Sequence, residues 1–248
     1  ASAARAQAAG MQPAPDEALA ACDIFLSVVP PGEALALAQR FALLLARAAR
    51  KPVYVDCNAV NPQTMAQIAA VVAASGARVV DAALFGAPPK PGTPGPTLYG
   101  AGADANTLTT LGALGLRVRA LDGPIGAASA LKMSYAGITK GLTALAATMA
   151  LGATRAGASD ALLQELLESQ PMLLRHLQKS VPDMFPKAYR WVAEMEEIAG
   201  FLGQPAHGST IYTGAAARYQ PLAADGPEGA DIQALAEFFR PDAGNSSA

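Results

Sequence analysis

The chain has 248 residues, of which 52% are hydrophobic and 15% are charged. This composition excludes general disorder and supplies enough apolar surface for one large domain or two smaller ones. The formal net charge of −2, from 18 basic and 20 acidic residues, leaves no basic stripe to neutralise a phosphate backbone, so we expect no nucleic-acid partner.

Cysteine usage and the apolar runs bear on the cellular setting. Only Cys22 and Cys57 occur, and they can build neither a disulfide framework nor a cysteine-type zinc site, so a reducing, cytoplasmic setting is expected. The longest uncharged run, residues 57–77, contains asparagines, glutamines and a proline, which is wrong for a segment that spans a bilayer. We therefore expect no membrane association.

Predicted strands and helices alternate in the first half of the chain. The predicted strands are short apolar runs at residues 23–30, 52–56, 77–84, 97–102 and 116–122. Helices are predicted between them at residues 32–50, 62–74 and from about residue 103. Residues 86–96 are rich in Pro and Gly and must form a loop. This alternation predicts an α/β domain over residues 1–122, with a parallel sheet whose faces are covered.

The second half of the chain shows no convincing strand. One very long helix is predicted over residues 125–155, with small residues along it. Further helices are predicted at residues 159–169, in a Pro-interrupted stretch to 186, and at 187–203, 207–220 and 230–240. Residues 123–248 are therefore predicted to form an all-helical domain, joined to the first by the long helix.

Polar or Pro-rich segments follow the first two predicted strands. Ligands of parallel sheets bind where the strands end, but the Pro-Pro pair after residue 29 also simply separates a strand from a helix. After the second strand, Asn58 and Asn61 could donate to a ligand. For Asn61 we expect a structural role, the N-cap of the helix that Pro62 opens.

A glycine pair, Gly100 and Gly102, follows a predicted strand and precedes a predicted helix. Such a turn can cradle a phosphate. The acidic residue expected about 20 positions later in a dinucleotide site is not there, because Arg117 and Arg119 come before Asp122. An ordinary Gly-rich turn is the favoured interpretation.

Lys132 is the candidate catalytic group. Its helix face carries Gly, Ala and Ser, and a lysine that is partly desolvated there has a lowered pKa and can act as a general base. A solvated surface lysine is the alternative. Lys140 follows about two turns later on nearly the same face, so the two lysines would line either one cleft or one solvent-exposed stripe of the helix. The acidic cluster Glu194, Glu196 and Glu197 is expected to be a solvated helix face, and contact with substrate is the alternative.

The order of these motifs resembles the 6-phosphogluconate and β-hydroxyacid dehydrogenase superfamily. The segments that carry the resemblance are DIFLSVVPPGEAL, YVDCNAVNPQT, VVDAALFGAPPKPGTPGPTLYGAG and GAASALKMSYAGITKG. The last one resembles the helix that bears the family's catalytic lysine, here Lys132. Together with RWVAEMEEIAGF, it is most similar to a poorly characterised branch of phosphogluconate-dehydrogenase-like oxidoreductases.

The resemblance implies an α/β fold, a Rossmann-like parallel sheet followed by an all-α C-terminal domain. It also implies an NAD(P)-dependent oxidoreductase that moves a hydride between the nicotinamide of NADP or NAD and a hydroxy-acid-like or related alcohol. Lys132 would be the general acid/base. A homodimer through the helical domain is implied as well. The implied cofactor-binding residues are Val29, Pro30 and Asn58, and the implied substrate-binding residues are Phe85, Tyr135 and Lys140.

Three departures from the family pattern qualify this expectation. The family's opening strand and glycine loop are absent, so the sheet is expected to be incomplete at its N-terminus. Phe85 stands where the family has a substrate-binding serine, and Ala136 stands where it has an asparagine. These two differences imply either a substrate more apolar than a small hydroxy acid or a different binding mode. The alternative is a non-catalytic truncated homologue, acting as a dimeric scaffold or as an apolar-ligand binding protein.

Overall fold

The computed structural model describes residues 2–86, 95–203, 207–226 and 228–241. The chain divides into two units, Ala1–Lys132 and Met133–Ala248. The boundary between them lies within a long helix.

Five strands of the first unit form one sheet, in the order β1-β2-β3-β4-β5. They are β1 Ile24–Ser27, β2 Val53–Asp56, β3 Arg78–Phe85, β4 Thr97–Ala101 and β5 Arg117–Ala120. Each predicted strand is present, mostly trimmed by a residue or more at its ends. The predicted α/β fold class is confirmed.

One strand pair departs from the expected parallel arrangement. β1, β2 and β3 are parallel, and β4 is parallel to β5, but β3 and β4 are antiparallel. The reason is the connection, because a parallel neighbour needs a crossover, usually a helix, whereas the Pro- and Gly-rich segment between β3 and β4 was predicted to be a loop. Most of that predicted loop, residues 87–94, lies outside the described residues.

The helices of the first unit are α1 Ser2–Ala8, α2 Asp16–Leu19, α3 Ala34–Arg47, α4 Pro62–Ala74 and the single turn α5 Thr109–Gly112. α3 buries Ala34, Ala38, Phe41 and Leu45, which recur at the spacing of one helix face. Its Phe41 ring lies 4.3 Å from that of Phe25 on β1, so this face of the helix packs on the sheet. The helix predicted from residue 103 is shorter than expected, a 3-10 turn at Ala105–Leu108 that runs into α5.

α6, Ala127–Arg155, begins in the first unit and is the long helix predicted from the sequence. The other helices of the second unit are α7 Ser159–Ser169, α8 Pro171–Met184, α9 Ala188–Leu202, α10 His207–Asp225 and α11 Ala230–Phe238. Small residues on α6 allow close packing, since a methyl group at Gly137 would lie 2.9 Å from the Tyr212 hydroxyl oxygen. Among the described residues, no helix is both long and apolar enough to cross a membrane.

Candidate active site

A row of polar residues crosses three parallel strands, at the carboxyl ends of β1 and β2 and midway along β3. Ser27 on β1 is in register with Asp56 on β2, which is in register with Asp81 on β3. All three are buried, with 1% exposure or less. Buried polar groups must be hydrogen-bonded, and the partners of this row organise the loops and the helix that follow the strands.

Asn58 joins the ends of β1 and β2. Its side-chain Nδ2 donates to Ser27 Oγ at 2.8 Å and to Asp56 Oδ2 at 2.9 Å, and its Oδ1 accepts from the Val29 amide at 2.7 Å. Its own amide donates to Asp56 Oδ1 at 3.0 Å. Both amide hydrogens of the Asn58 side chain are thus used within the protein. Asn58 therefore holds the Val29 amide in place, between the exposed residues Val28 and Pro30.

Burial shapes the acid–base properties around Asn58. Desolvation raises the pKa of Asp56 above its usual range, and the hydrogen bonds from Asn58 oppose that rise. Burial also raises the pKa of Tyr54 and of the Cys57 thiol, each to about 12. Tyr54 and Cys57 are therefore protonated at neutral pH, which makes neither a ready base or nucleophile.

Asn61 has the structural role expected from its place before Pro62. Its side-chain Oδ1 accepts from the Thr64 amide at 2.9 Å, which caps α4. The glycine pair at the end of β4 also has a packing role. A methyl group at Gly100 would meet Leu108 at 2.5 Å, and one at Gly102, where φ is +104°, would meet Ile125 at 2.6 Å.

Asp81 receives the start of α6. Its Oδ2 accepts from the backbone amides of Gly126 at 2.9 Å, Ala128 at 2.9 Å and Ser129 at 3.0 Å, and its Oδ1 accepts from Ser129 Oγ at 2.7 Å. These amides belong to the helix end that has no internal partners, where a carboxylate is favourable. Burial raises the pKa of Asp81, and the hydrogen bonds from α6 oppose the rise. Asp81 is not among the site residues expected from the sequence, although a lone acid inside the apolar run VVDAAL is a signal that could have found it.

Lys132 lies about one turn further along α6, against the end of β3. Its Nζ donates to the Leu84 carbonyl at 2.6 Å and lies 4.8 Å from the centroid of the Phe85 ring. In the described part of the chain no carboxylate pairs with it. Desolvation lowers the pKa of Lys132 below the ordinary lysine value. This is the half-buried lysine of the sequence hypothesis, and not the solvated surface lysine of its alternative.

Phe85 belongs to a chain of ring and cation contacts. Its ring meets Tyr99 edge-on, with centroids 5.1 Å apart. The Arg119 guanidinium lies 5.7 Å from the Tyr99 ring and donates to its hydroxyl at 3.1 Å. The wall beside the Lys132 ammonium is therefore aromatic where the family pattern has a serine.

The second unit holds the other two predicted substrate residues. Tyr135 is 56% exposed on α6. Lys140 pairs with Glu194 of α9, and its Nζ lies 5.1 Å from the Trp191 ring. The expectation that Glu194 belongs to a solvated face is wrong, because the ammonium of α6 draws its carboxylate inward. Lys140 and Glu194 are far apart in the sequence, and no local sequence pattern predicts that they pair.

Metal ligation has no support in this site. No group of three or more His, Cys, Asp or Glu that could hold a metal ion occurs among the residues that the structure describes.

Comparisons with known proteins place the chain among relatives. Residues 153–222 match a family model described as a domain of unknown function, DUF1932. An uncharacterized 28.5 kDa protein encoded in the 7S RNA 5′ region of Methanothermus fervidus is 30% identical over 181 residues, which cover 73% of this chain and 68% of the relative.

Solved structures agree with this relationship. A conserved protein of unknown function, described as structurally similar to 3-hydroxyacid dehydrogenases, is 26% identical with a TM-score of 0.71, and the match covers 88% of this chain and 81% of that one. The 3-hydroxyisobutyrate dehydrogenase of Mycobacterium tuberculosis has the same fold, at 17% identity and a TM-score of 0.62, over 91% of this chain and 82% of the enzyme. The motif order of the sequence, the sheet with its long helix and these relatives agree: the chain belongs to the 6-phosphogluconate and β-hydroxyacid dehydrogenase superfamily.

Proposed function

We propose that the protein is an NAD(P)-dependent oxidoreductase that interconverts an alcohol and its carbonyl product, with Lys132 as general acid/base. The observation that carries the proposal is the environment of Lys132. Its ammonium is half-buried against a carbonyl and an aromatic ring, with a lowered pKa and with no carboxylate partner among the described residues. The oxidoreductase fold of the family supports the same conclusion.

The proposed proton transfer follows from that environment. A general base is most effective when its pKa lies near the working pH, and desolvation moves Lys132 in that direction. In oxidation, the neutral amine would take the proton from the alcohol oxygen, while the hydride on the carbon that bears this oxygen would go to the nicotinamide. In reduction, the ammonium would return the proton to the carbonyl oxygen. The Leu84 carbonyl, at 2.6 Å, holds Nζ in place in either protonation state.

The carboxyl ends of β1 and β2 fit the ring of a nicotinamide cofactor, NADP or NAD, which would supply hydride transfer when bound. Val28 and Pro30 offer exposed apolar surface, and Val29 between them is fixed by its hydrogen bond to Asn58. Because Asn58 uses both amide hydrogens internally, its proposed contribution is to shape this surface. The proposed cofactor-binding residues stay Val29, Pro30 and Asn58.

Phe85 favours a substrate with an apolar portion. A phenyl ring beside the ammonium cannot donate a hydrogen bond to a substrate carboxylate as a serine would, but it can pack on a hydrocarbon or aromatic group. We keep Tyr135 and Lys140 as proposed substrate residues. Because Lys140 pairs with Glu194, its proposed contribution is an ammonium group held in one orientation.

The proposed partner is a second copy of the chain, bound through α6. Apolar residues recur along one face of this helix at alternating spacings of three and four, the pattern of a helix-pairing seam. They are Tyr135, Ile138, Leu142, Leu145 and Met149, of which all but Leu142 are exposed. Residues 141–154 carry no charge, so two copies of this face can meet without like-charge repulsion. Sedimentation of the wild type as a dimer and of Leu145→Glu as a monomer is expected, and a monomeric wild type contradicts this part of the proposal.

The function is tested first by titrating the purified chain with NADPH and then NADH, following cofactor fluorescence. Saturable binding of either supports the proposal and selects the cofactor. A folded sample that binds neither contradicts it and favours the scaffold or apolar-ligand alternative. Substitution of Pro30 by Asp, which places a charge on the proposed ring surface, is the matched variant and is expected to weaken binding. The exposed Lys179→Met is the control and is expected to bind as the wild type does.

A further inference from the structure

Two hydrogen-bonded contacts join strand β3 to helix α6, and they are three residues apart on each element. Asp81 of β3 bonds Ser129 of α6, and three residues later on each element Leu84 bonds Lys132. Three residues span about 10 Å along a strand but only about 4.5 Å along a helix. The long, flexible stem of the lysine takes up that difference. Whether the Lys132 ammonium reaches the Leu84 carbonyl therefore depends on the position that the contact between Asp81 and Ser129 gives to the helix.

The contact between Asp81 and the start of α6 is held by several hydrogen bonds. Asp81 is 0% exposed and collects four hydrogen bonds from Gly126, Ala128 and Ser129. Gly126 has a φ of +98°, a conformation that L side chains rarely adopt, so the chain before α6 is shaped to present its amides to this carboxylate. Such an arrangement fixes both the rise and the rotation of the first turn of α6.

The second contact is weak by comparison. Lys132 holds its place through one carbonyl and one ring, and among the residues described no carboxylate anchors its charge. A side chain with so few partners stays in position only if its helix does.

We propose that Asp81 is a positioning residue for Lys132, holding the first turn of α6 on β3 so that the lysine stays half-buried at the end of the sheet. This inference rests on the proposed function, in which Lys132 carries the proton. Asp81 touches neither the reacting atoms nor the proposed cofactor surface and acts through the helix.

The test follows the protonation of Lys132 itself. In protein labelled with ¹³C-lysine, the Cε shift of Lys132, assigned with Lys132→Arg, is followed against pH in the wild type, Asp81→Ala and Asp81→Asn. An asparagine can still accept the three amides through its side-chain oxygen, and its side-chain NH2 can donate to the Ser129 hydroxyl oxygen, so it is the conservative variant. Asp231→Asn, which breaks the ion pairs with Arg155 and Arg218 in the second unit, is the control for a general loss of stability.

We expect Asp81→Ala to raise the titration midpoint of Lys132 toward the ordinary lysine value, because the released lysine becomes hydrated. Asp81→Asn should raise it less, and Asp231→Asn should leave it unchanged. An unchanged midpoint in folded Asp81→Ala overturns the proposal, and so does an equal rise in Asp231→Asn. If Asp81→Ala does not fold, Asp81→Asn and Ser129→Ala decide: a rise in either supports the proposal, and no rise in both overturns it.

Turnover gives a second readout once a substrate is found. Asp81→Ala should lower kcat by about a hundredfold, the cost of misplacing a reacting group by about 1 Å, with the affinity for the dinucleotide unchanged. The titration itself needs neither substrate nor cofactor. If Lys132→Met retains turnover, the proposed function fails while the coupling of Asp81 to Lys132 is still measured on its own.

Discussion

Two lysines of one helix end in opposite environments. Lys132, in the first unit, meets a backbone carbonyl and the Phe85 ring. Lys140, in the second unit, meets the Glu194 carboxylate and the Trp191 ring. A carboxylate stabilises an ammonium, whereas a neutral wall that excludes water destabilises it. The comparison teaches that the neighbours from other elements, and not the helix face, decide what each ammonium pairs with and how it is shielded from water.

The largest expected effect concerns catalysis by Lys132. Replacing it with Met removes the proposed general acid/base and should lower kcat by about 10²- to 10⁴-fold. The affinity for the dinucleotide should not change, because Lys132 does not belong to the cofactor surface. Steady-state kinetics and cofactor fluorescence measure the two effects separately. Lys179→Met, which changes an exposed lysine outside the site, should retain turnover. If Lys132→Met also retains turnover, Lys132 is not the general acid/base.

Next in size is the coupling between Lys140 and Glu194. Both side chains are partly buried, 20% and 28% exposed, so the pair should contribute more than a surface ion pair. A double-mutant cycle with Lys140→Met and Glu194→Gln, measured by urea unfolding, should give a coupling of about 1 to 2 kcal/mol. A coupling near zero would show that the pair does not hold the lysine, and Lys140 would then be as weakly anchored as Lys132.

A smaller effect is expected at Tyr219, which supports the Lys140 region from α10. Its buried hydroxyl donates to the Lys140 carbonyl at 2.6 Å, and its ring meets Trp191 edge-on at 5.3 Å. Tyr219→Phe should lower the free energy of unfolding by about 1 kcal/mol, because it removes one buried hydrogen bond. Tyr189→Phe, at an exposed tyrosine, is the matched control and should change it by less than about 0.5 kcal/mol. Equal effects of the two variants would contradict the assigned contact.

The smallest expected effect is a pH dependence that belongs to Lys132 alone. Burial lowers its pKa in the folded state below the ordinary value of 10.5. Between the two values the unfolded chain binds a proton that the folded chain does not, so the free energy of unfolding rises with pH through that window. Lys132→Met lacks this contribution. The wild type should therefore gain stability relative to this variant as the pH rises from the lowered folded-state pKa of Lys132 toward 10.5, measured by urea unfolding. A constant difference would mean that the lysine is hydrated.

Sequence patterns were sufficient wherever the determinant is local. The N-cap at Asn61 before Pro62, the apolar spacing of α3 and the small residues of α6 all act within a few positions of one another, and they predicted these elements. The order of the quoted motifs also led to the superfamily that the relatives confirm. The same patterns selected Lys132, since only small and apolar residues surround it along its helix.

Tertiary structure decided whatever depends on residues distant in the chain. The reversal of β4 came from the connection that follows β3, and the alternation of strands and helices does not report direction. Asp81 and Ser129, or Lys140 and Glu194, meet only because the fold brings their elements together. By itself, the sequence determined the elements, the superfamily and the lysine with its apolar helix face. Only the fold decided which groups surround each lysine, because the pKa and the position of a charge depend on neighbours that no local pattern records.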